Sequence, residues 1–288
     1  MAAEKDAPMN NISKVISRAL SLSSVSNYGV STSKNTTLVQ EFLFFHVPSF
    51  SDTETVLCGS AAEGTLLAQS DFDIMIVQRD ISIQTEKTVP EGVCRPILVL
   101  DTSGSRTGFG RIRLFQLDDT EYNFFHIHYL NIQEILVNMN DEIYISSEKF
   151  VNVLVSKLKS IYSSRTSLCQ HGPCAMIQQH DQSYFNFKID QKIAFDEVHG
   201  IQLDQWPVEA NEWITRKRLY NWPPIKVVDK ISRQKCHVVP VGGAKSLYCF
   251  LEWRISFILG EGELVWNFNN TQDIVQLFTT LVFLFYPY

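Results

Sequence analysis

The stretch from Val56 to Val77, VLCGSAAEGTLLAQSDFDIMIV, constrains this chain more than any other. An apolar run (Val56, Leu57, Cys58) meets a turn at Gly59-Ser60. A second apolar run, Ile74 to Val77, follows Ser70-Asp71-Phe72-Asp73. Successive side chains of a strand alternate faces, so Asp71 and Asp73 point the same way. Two carboxylates that close repel each other and raise each other's pKa unless positive charge sits between them. A divalent metal answers that need, because oxygen ligands suit Mg²⁺ and two such ions clamp an in-line phosphoryl displacement. The turn meets a second requirement: glycine lets backbone approach closely, and the amides opening a helix predicted from Ala61 to Ala68 would face a triphosphate.

A Gly-Ser pair or an Asp-x-Asp pair alone is a common surface turn. Together, running into an apolar strand, they resemble the Gly-Ser…Asp-x-Asp signature of the nucleotidyltransferase superfamily. The wording GSAAEGT…SDFDIM is narrower and resembles the Mab-twenty-one-like proteins and the cyclic GMP-AMP synthase-like receptors. The blocks WPVEANEWITRKRLYNWPP, KCHVVPVG and LEWRISFILGEGELV follow in those families' order. In them the third metal ligand comes from a neighbouring strand spelt Asp, three residues, Ala and an apolar residue, with Trp-Pro shortly after. Asp190, Ala194, Phe195 and Trp206-Pro207 fit that layout, although a surface acid at a strand end would read the same.

The resemblance therefore implies Mg²⁺ or Mn²⁺ held by Asp71, Asp73 and Asp190, with Asp190 beside an attacking ribose hydroxyl. Gly59 and Ser60 would hold the β- and γ-phosphates. The Trp-Arg…Ser-Phe block carries Arg254 and Glu261 to the nucleotide pocket, against the plainer reading of both as helix surface. ATP and GTP become the expected substrates and a cyclic dinucleotide the product class, with a role as an innate-immune sensor that double-stranded nucleic acid could activate.

The 288 residues, 45% hydrophobic and 19% charged, have the balance of a globular chain able to bury a substantial core. The apolar runs are too short to span a membrane, and no signal-peptide core opens the chain. Six cysteines without a Cys-x-x-Cys pair suit reduced, mostly buried thiols and a cytoplasmic setting. A net charge of −6 argues against broad nucleic-acid affinity. Lys149, Lys157, Lys159 and Arg165 read as a solvated helix face.

The expected fold is α+β: a nucleotidyltransferase-type mixed sheet with flanking helices over 1–200, then the start of a helical lobe over 201–288. Asn11 to Leu22 carries a helical apolar stripe, and Ser23 to Thr37 reads as loop. Leu38 to His46 fits either a short helix or an extended piece. Gln78 to Glu91 reads as a polar loop or irregular hairpin, Cys94 to Leu100 as a strand, and Asp101 to Gly108 as a turn. Phe109 to Leu117 alternates as a strand. Ser146 to Ser160 predicts a helix capped by Ser146 or Ser147, with Phe150, Val153, Leu154, Lys157 and Leu158 facing in. Tyr184 to Phe195 has a strand pattern around Asp190. Glu252 to Leu264 is compatible with helix.

Three departures separate the chain from the synthase-like enzymes. Val241 stands where they often place a basic residue. Their zinc-ribbon insertion is absent, leaving His171 with Cys169 and Cys174 as the one His/Cys cluster. The family's outer-wall helices should continue past Gln272, so the chain is expected to be a C-terminally truncated form. Gly242-Gly243-Ala244-Lys245-Ser246 lacks phosphate-loop spacing and reads as a turn. Two rival functions stay open: a non-catalytic nucleotide-binding or protein-interaction module of the same fold, and a polymerase extending RNA ends.

Overall fold

The computed structural model describes residues 53–62, 72–85, 97–116, 123–124, 130–161, 166–179, 194–218, 221–265 and 267. All of them fall within one compact unit, Ser49–Asn267. Its first half holds β1 (Thr53–Cys58), α1 (Gly59–Ala62), β2 (Phe72–Gln84), β3 (Ile97–Asp101), β4 (Phe109–Gln116), β5 (Asn123–Phe124), β6 (Leu130–Asn131), β7 (Leu136–Met139), β8 (Glu142–Ile145) and α2 (Ser147–Ile161). Its second half holds β9 (Thr166–His171), β10 (Cys174–Gln179), β11 (Ala194–Leu203), α3 (Asn211–Thr215), α4 (Ile225–Ser232), β12 (His237–Val239), β13 (Glu252–Ser256) and α5 (Ile258–Val265). The class is α+β, dominated by sheet.

Two long strands organise the unit. β2 and β11 run parallel along their whole length, and each changes its other neighbour partway. The first half of β2 pairs with β1 and that of β11 with β10, giving an open sheet β1-β2-β11-β10-β9. The second halves pair with β3 and β12, and the ring closes through β4 and β13 into a six-stranded barrel. The changeover coincides with a register break: Ile201 faces Gln78, but Gln202 faces Ser82. Extra residues on one strand bend it and increase its twist. That bend lets one pair of strands serve both an open sheet and a closed one.

Gln78 to Gln84 therefore belongs to β2, where the sequence suggested loop. The apolar alternation Ile81, Ile83 is short and interrupted by Arg79 and Asp80, yet both isoleucines are buried in the main core. Glu252–Ser256 is strand rather than helix. Trp253 points inward, fully buried, and its indole Nε1–H donates to the Ile145 carbonyl at 3.1 Å, while Arg254 faces out. Helix begins only at Ile258. The expected boundary at 200/201 falls inside β11, and β12 and β13 continue the same sheet beyond it.

Other expectations match the structure. β3 and β4 lie where the pattern put them, except that Asp101, expected to open the turn to Gly108, ends β3. α2 starts one residue later than expected, with Ser146 Oγ accepting from Lys149 N–H at 3.2 Å as its cap. Its buried stripe is Phe150, Val151, Leu154, Val155 and Leu158, with Val153 and Lys157 only partly covered. Phe150 meets Trp253 at 5.2 Å between ring centroids, tying α2 to the barrel. Each such buried side chain contributes about 1.5–3 kcal/mol. Among the described residues five cysteines are free thiols; Cys236 is buried and Cys58 and Cys174 partly so, but Cys169 and Cys249 are exposed. The segments at 11–46 and 184–193, with Asp71, Arg165, Asp190 and the 268–288 tail, lie outside the described residues.

Candidate metal and nucleotide site

The open sheet carries the site on one face. Its register sets a single row across five strands: Cys58 of β1 faces Asp73 of β2, which faces Asp196 of β11, then Met176 of β10 and Cys169 of β9. Register partners on neighbouring strands lie about 4.8 Å apart and point the same way. Asp73 and Asp196 are therefore side-by-side carboxylates on the two strands around which the unit is built. Beneath them the same face is apolar, with Val56, Met75, Val77 and Val239 buried and Val198 packed against them.

Gly59 begins α1 at the edge of this pair. Its φ of +59° is left-handed, and a Cβ there would overlap Oδ2 of Asp73. Glycine is thus needed twice, for the backbone conformation and to leave the carboxylate its space. This explains physically why Gly59 and Asp73 occur together in one motif. α1 is described over Gly59–Ala62 and opens two residues before the predicted Ala61; residues 63–68 of the predicted helix lie outside the described set.

Asp196 is 7% exposed. Its Oδ2 accepts a hydrogen bond from His171 Nδ1 at 3.0 Å, while its buried Oδ1 has no hydrogen-bond partner among the described residues. A buried carboxylate oxygen left without a donor carries a desolvation cost that a bound cation would remove. The donor set also suits a hard divalent ion, since carboxylate oxygens are the ligands Mg²⁺ and Mn²⁺ prefer. Asp196 fits such an ion on both counts, and Asp73 beside it fits by the chemistry of its donors. Among the described residues no group of three His, Cys, Asp or Glu side chains gathers at one point, and Asp71 lies outside them.

The remaining expected residues are in electrostatic reach. Burial pushes the Cys58 thiol up to about 12, helped by Asp73 and, more weakly, by Cys174 and Glu261. Burial also takes Cys174 to about 12, with Asp196 and Asp73 raising it and Arg254 pulling it down. Asp73 thus acts on both flanking thiols, Glu261 on Cys58, and Asp196 and Arg254 on Cys174. Arg254, exposed on β13, stands beside Val239 of β12. Glu261 is exposed on α5, whose Ile258 and Leu259 pack on the apolar patch under the carboxylates.

Asp196 was missed by sequence reasoning. The segment Asp196, three residues, Gly200, Ile201 and then Trp206-Pro207 spells the same layout as the Asp190 segment, with glycine in place of alanine. Its glycine has a packing reason: a Cβ at Gly200 would press on Met75 Sδ at 2.8 Å. Neighbouring Glu197 belongs to the opposite face, where its Oε1 lies 2.7 Å from His199 Nε2, both side chains buried.

The Gly242–Ser246 loop is not a phosphate cradle. Gly243 N–H donates to Glu252 Oε2 at 3.0 Å and Ser246 Oγ to Glu252 Oε1 at 2.7 Å, so a buried carboxylate already fills it. A cleft of about 390 Å³ lies between this loop, the start of α2 and the β9–β10 turn, but neither Asp73 nor Asp196 lines it. The register and the charges locate the site better than the cavity does. Among the described residues no helix is long and apolar enough to cross a membrane. A scan of the sequence against protein-family models finds none that matches.

Proposed function

We propose that this chain is a metal-dependent nucleotidyltransferase of the cyclic GMP-AMP synthase-like kind, joining ATP and GTP with release of pyrophosphate. The observation that carries the reading is the pairing of Asp73 with Asp196 on adjacent parallel strands, with Gly59 packed against the first carboxylate. Asp73 and Asp196, with Asp71, would hold Mg²⁺ or Mn²⁺; Asp190 is the alternative third carboxylate that the family layout nominates. When bound, such ions neutralise triphosphate charge, lower the pKa of an attacking ribose hydroxyl and stabilise the departing pyrophosphate.

The protein's own groups do the positioning. Gly59 and Ser60 take the β- and γ-phosphates, the closely approaching backbone supplying N–H donors. Arg254 brings fixed positive charge to a site otherwise acidic, and Glu261 accepts from a base amino group. The apolar floor of Met75, Val77 and Val198 excludes water from below, which strengthens each electrostatic contact above it.

The test is chromatography of products after incubation with all four ribonucleoside triphosphates and Mg²⁺ or Mn²⁺, with and without double-stranded RNA or DNA. The proposal expects pyrophosphate and a linked dinucleotide, both lost in Asp73→Asn. Pyrophosphate release that survives that substitution would overturn it.

One observation favours the non-catalytic module instead. Val241 packs into the apolar cluster with Val56 and Val239, so no cation stands at that position. Thermal stabilisation by a nucleotide with Mg²⁺, without turnover, would select that reading.

A further inference from the structure

We infer that His171 is a positioning residue for the carboxylate pair: it fixes the rotamer of Asp196 so that one oxygen is tied and the other is presented beside Asp73. The inference rests on the nucleotidyltransferase reading and names a residue that the family layout does not.

The geometry is specific. His171 ends β9 and Cys174 begins β10, and the two are register partners across the Gly172-Pro173 turn. The turn uses Gly172 at φ +58°, a left-handed conformation suited to glycine, followed by a proline with fixed φ. The imidazole is thus carried on a short, stiff hairpin end. Its Nδ1 lies 3.0 Å from Asp196 Oδ2. A carboxylate only accepts, so Nδ1 carries the proton and donates. That leaves Oδ1, buried and without a hydrogen-bond partner among the described residues, as the oxygen available to a cation.

The burial is lopsided, an open imidazole tied to a nearly buried carboxylate. The His171 side chain is 64% exposed and that of Asp196 only 9%. Hydrogen bonds and ion pairs of this kind contribute modestly to folding. They do orient: a ligating carboxylate is usually held by a second hydrogen bond, and removing that bond typically weakens metal binding about 10–100-fold. A carboxylate free to rotate would bring either oxygen to the cation and lose affinity through disorder.

The experiment measures Mn²⁺ affinity of the whole chain by electron paramagnetic resonance, beside thermal melting, for wild type, His171→Ala, His171→Asn and Asp73→Asn. His171→Ala is expected to bind Mn²⁺ about 10–100-fold more weakly while still melting as a folded chain. His171→Asn, which keeps an N–H donor near the Nδ1 position, is expected to recover close to wild-type affinity. Mn²⁺ binding lost in Asp73→Asn but indifferent to His171→Ala overturns this inference and leaves the proposed function standing. Equal losses in the alanine and asparagine variants also overturn it, since the donor would then not be what matters. A wild-type chain that takes up no Mn²⁺ overturns the proposed function and this inference together.

Discussion

Replacing Gly59 by alanine separates two costs that usually come mixed. The first is backbone strain: at φ +59° a Cβ costs about 1–2 kcal/mol. The second is local, because the new methyl would occupy the place of Asp73 Oδ2 and that carboxylate must turn away. Gly108 supplies the control. It also has positive φ, +83°, but nothing lies within 4 Å of its hypothetical Cβ. Gly59→Ala and Gly108→Ala should therefore each lose about 1–2 kcal/mol, seen as a fall of about 2–4 °C in melting temperature per kcal/mol. Only Gly59→Ala should damage chemistry. A catalytic group displaced by about 1 Å can cost roughly 100-fold in rate. Pyrophosphate release at saturating ATP, GTP and Mg²⁺ measures this. A Gly59→Ala chain that is destabilised like Gly108→Ala yet retains activity within a few-fold would refute the link between Gly59 and the placement of Asp73.

Further outcomes follow from other residues. Asp196→Asn should abolish pyrophosphate release as fully as Asp73→Asn; if Asp190→Asn abolishes it and Asp196→Asn does not, the third ligand is Asp190. His237 is buried on β12, and burial, opposed weakly by Glu54 and aided by Lys235, pushes its pKa down from 6.5 to about 4. The unfolded chain then binds the extra proton first, so stability is full above pH 6.5 and falls as pH drops towards 4, by about 3 kcal/mol in total. In His237→Gln, denaturant melts across that range should lack this slope; an unchanged slope would exclude His237 as its source. Brief iodoacetamide treatment at pH 8 should label the exposed Cys169 and Cys249. It should spare Cys58 and Cys174, whose thiols stay protonated to about pH 12; mass spectrometry showing the reverse would contradict their burial.

The parts of this architecture carried by local pattern were legible before the fold was known. β4 and α2 have clean periodicities, and the GSAAEGT…SDFDIM motif marks the sheet edge where Gly59 meets Asp73. What resisted reading depended on distant partners. The second half of β2 has weak alternation because Ile81 and Ile83 are buried by β3, β11 and the barrel core, far along the chain. Glu252–Ser256 looks helical by composition, and becomes strand because Trp253 must reach the pocket beside Phe150. Asp196 hid for a related reason: two similarly spelt segments compete, and only the pairing of β11 with β2 says which acid faces Asp73. The boundary expected at residue 200 falls inside β11, and β12 and β13 return to close a barrel begun by β2.

The most direct test is an anomalous-diffraction map from crystals grown with Mn²⁺ and a non-hydrolysable ATP analogue. The account predicts a Mn²⁺ peak coordinated jointly by the carboxylates of Asp73 and Asp196, with the triphosphate running towards Gly59. A peak elsewhere, or an occupied nucleotide with no cation between those two side chains, would contradict it.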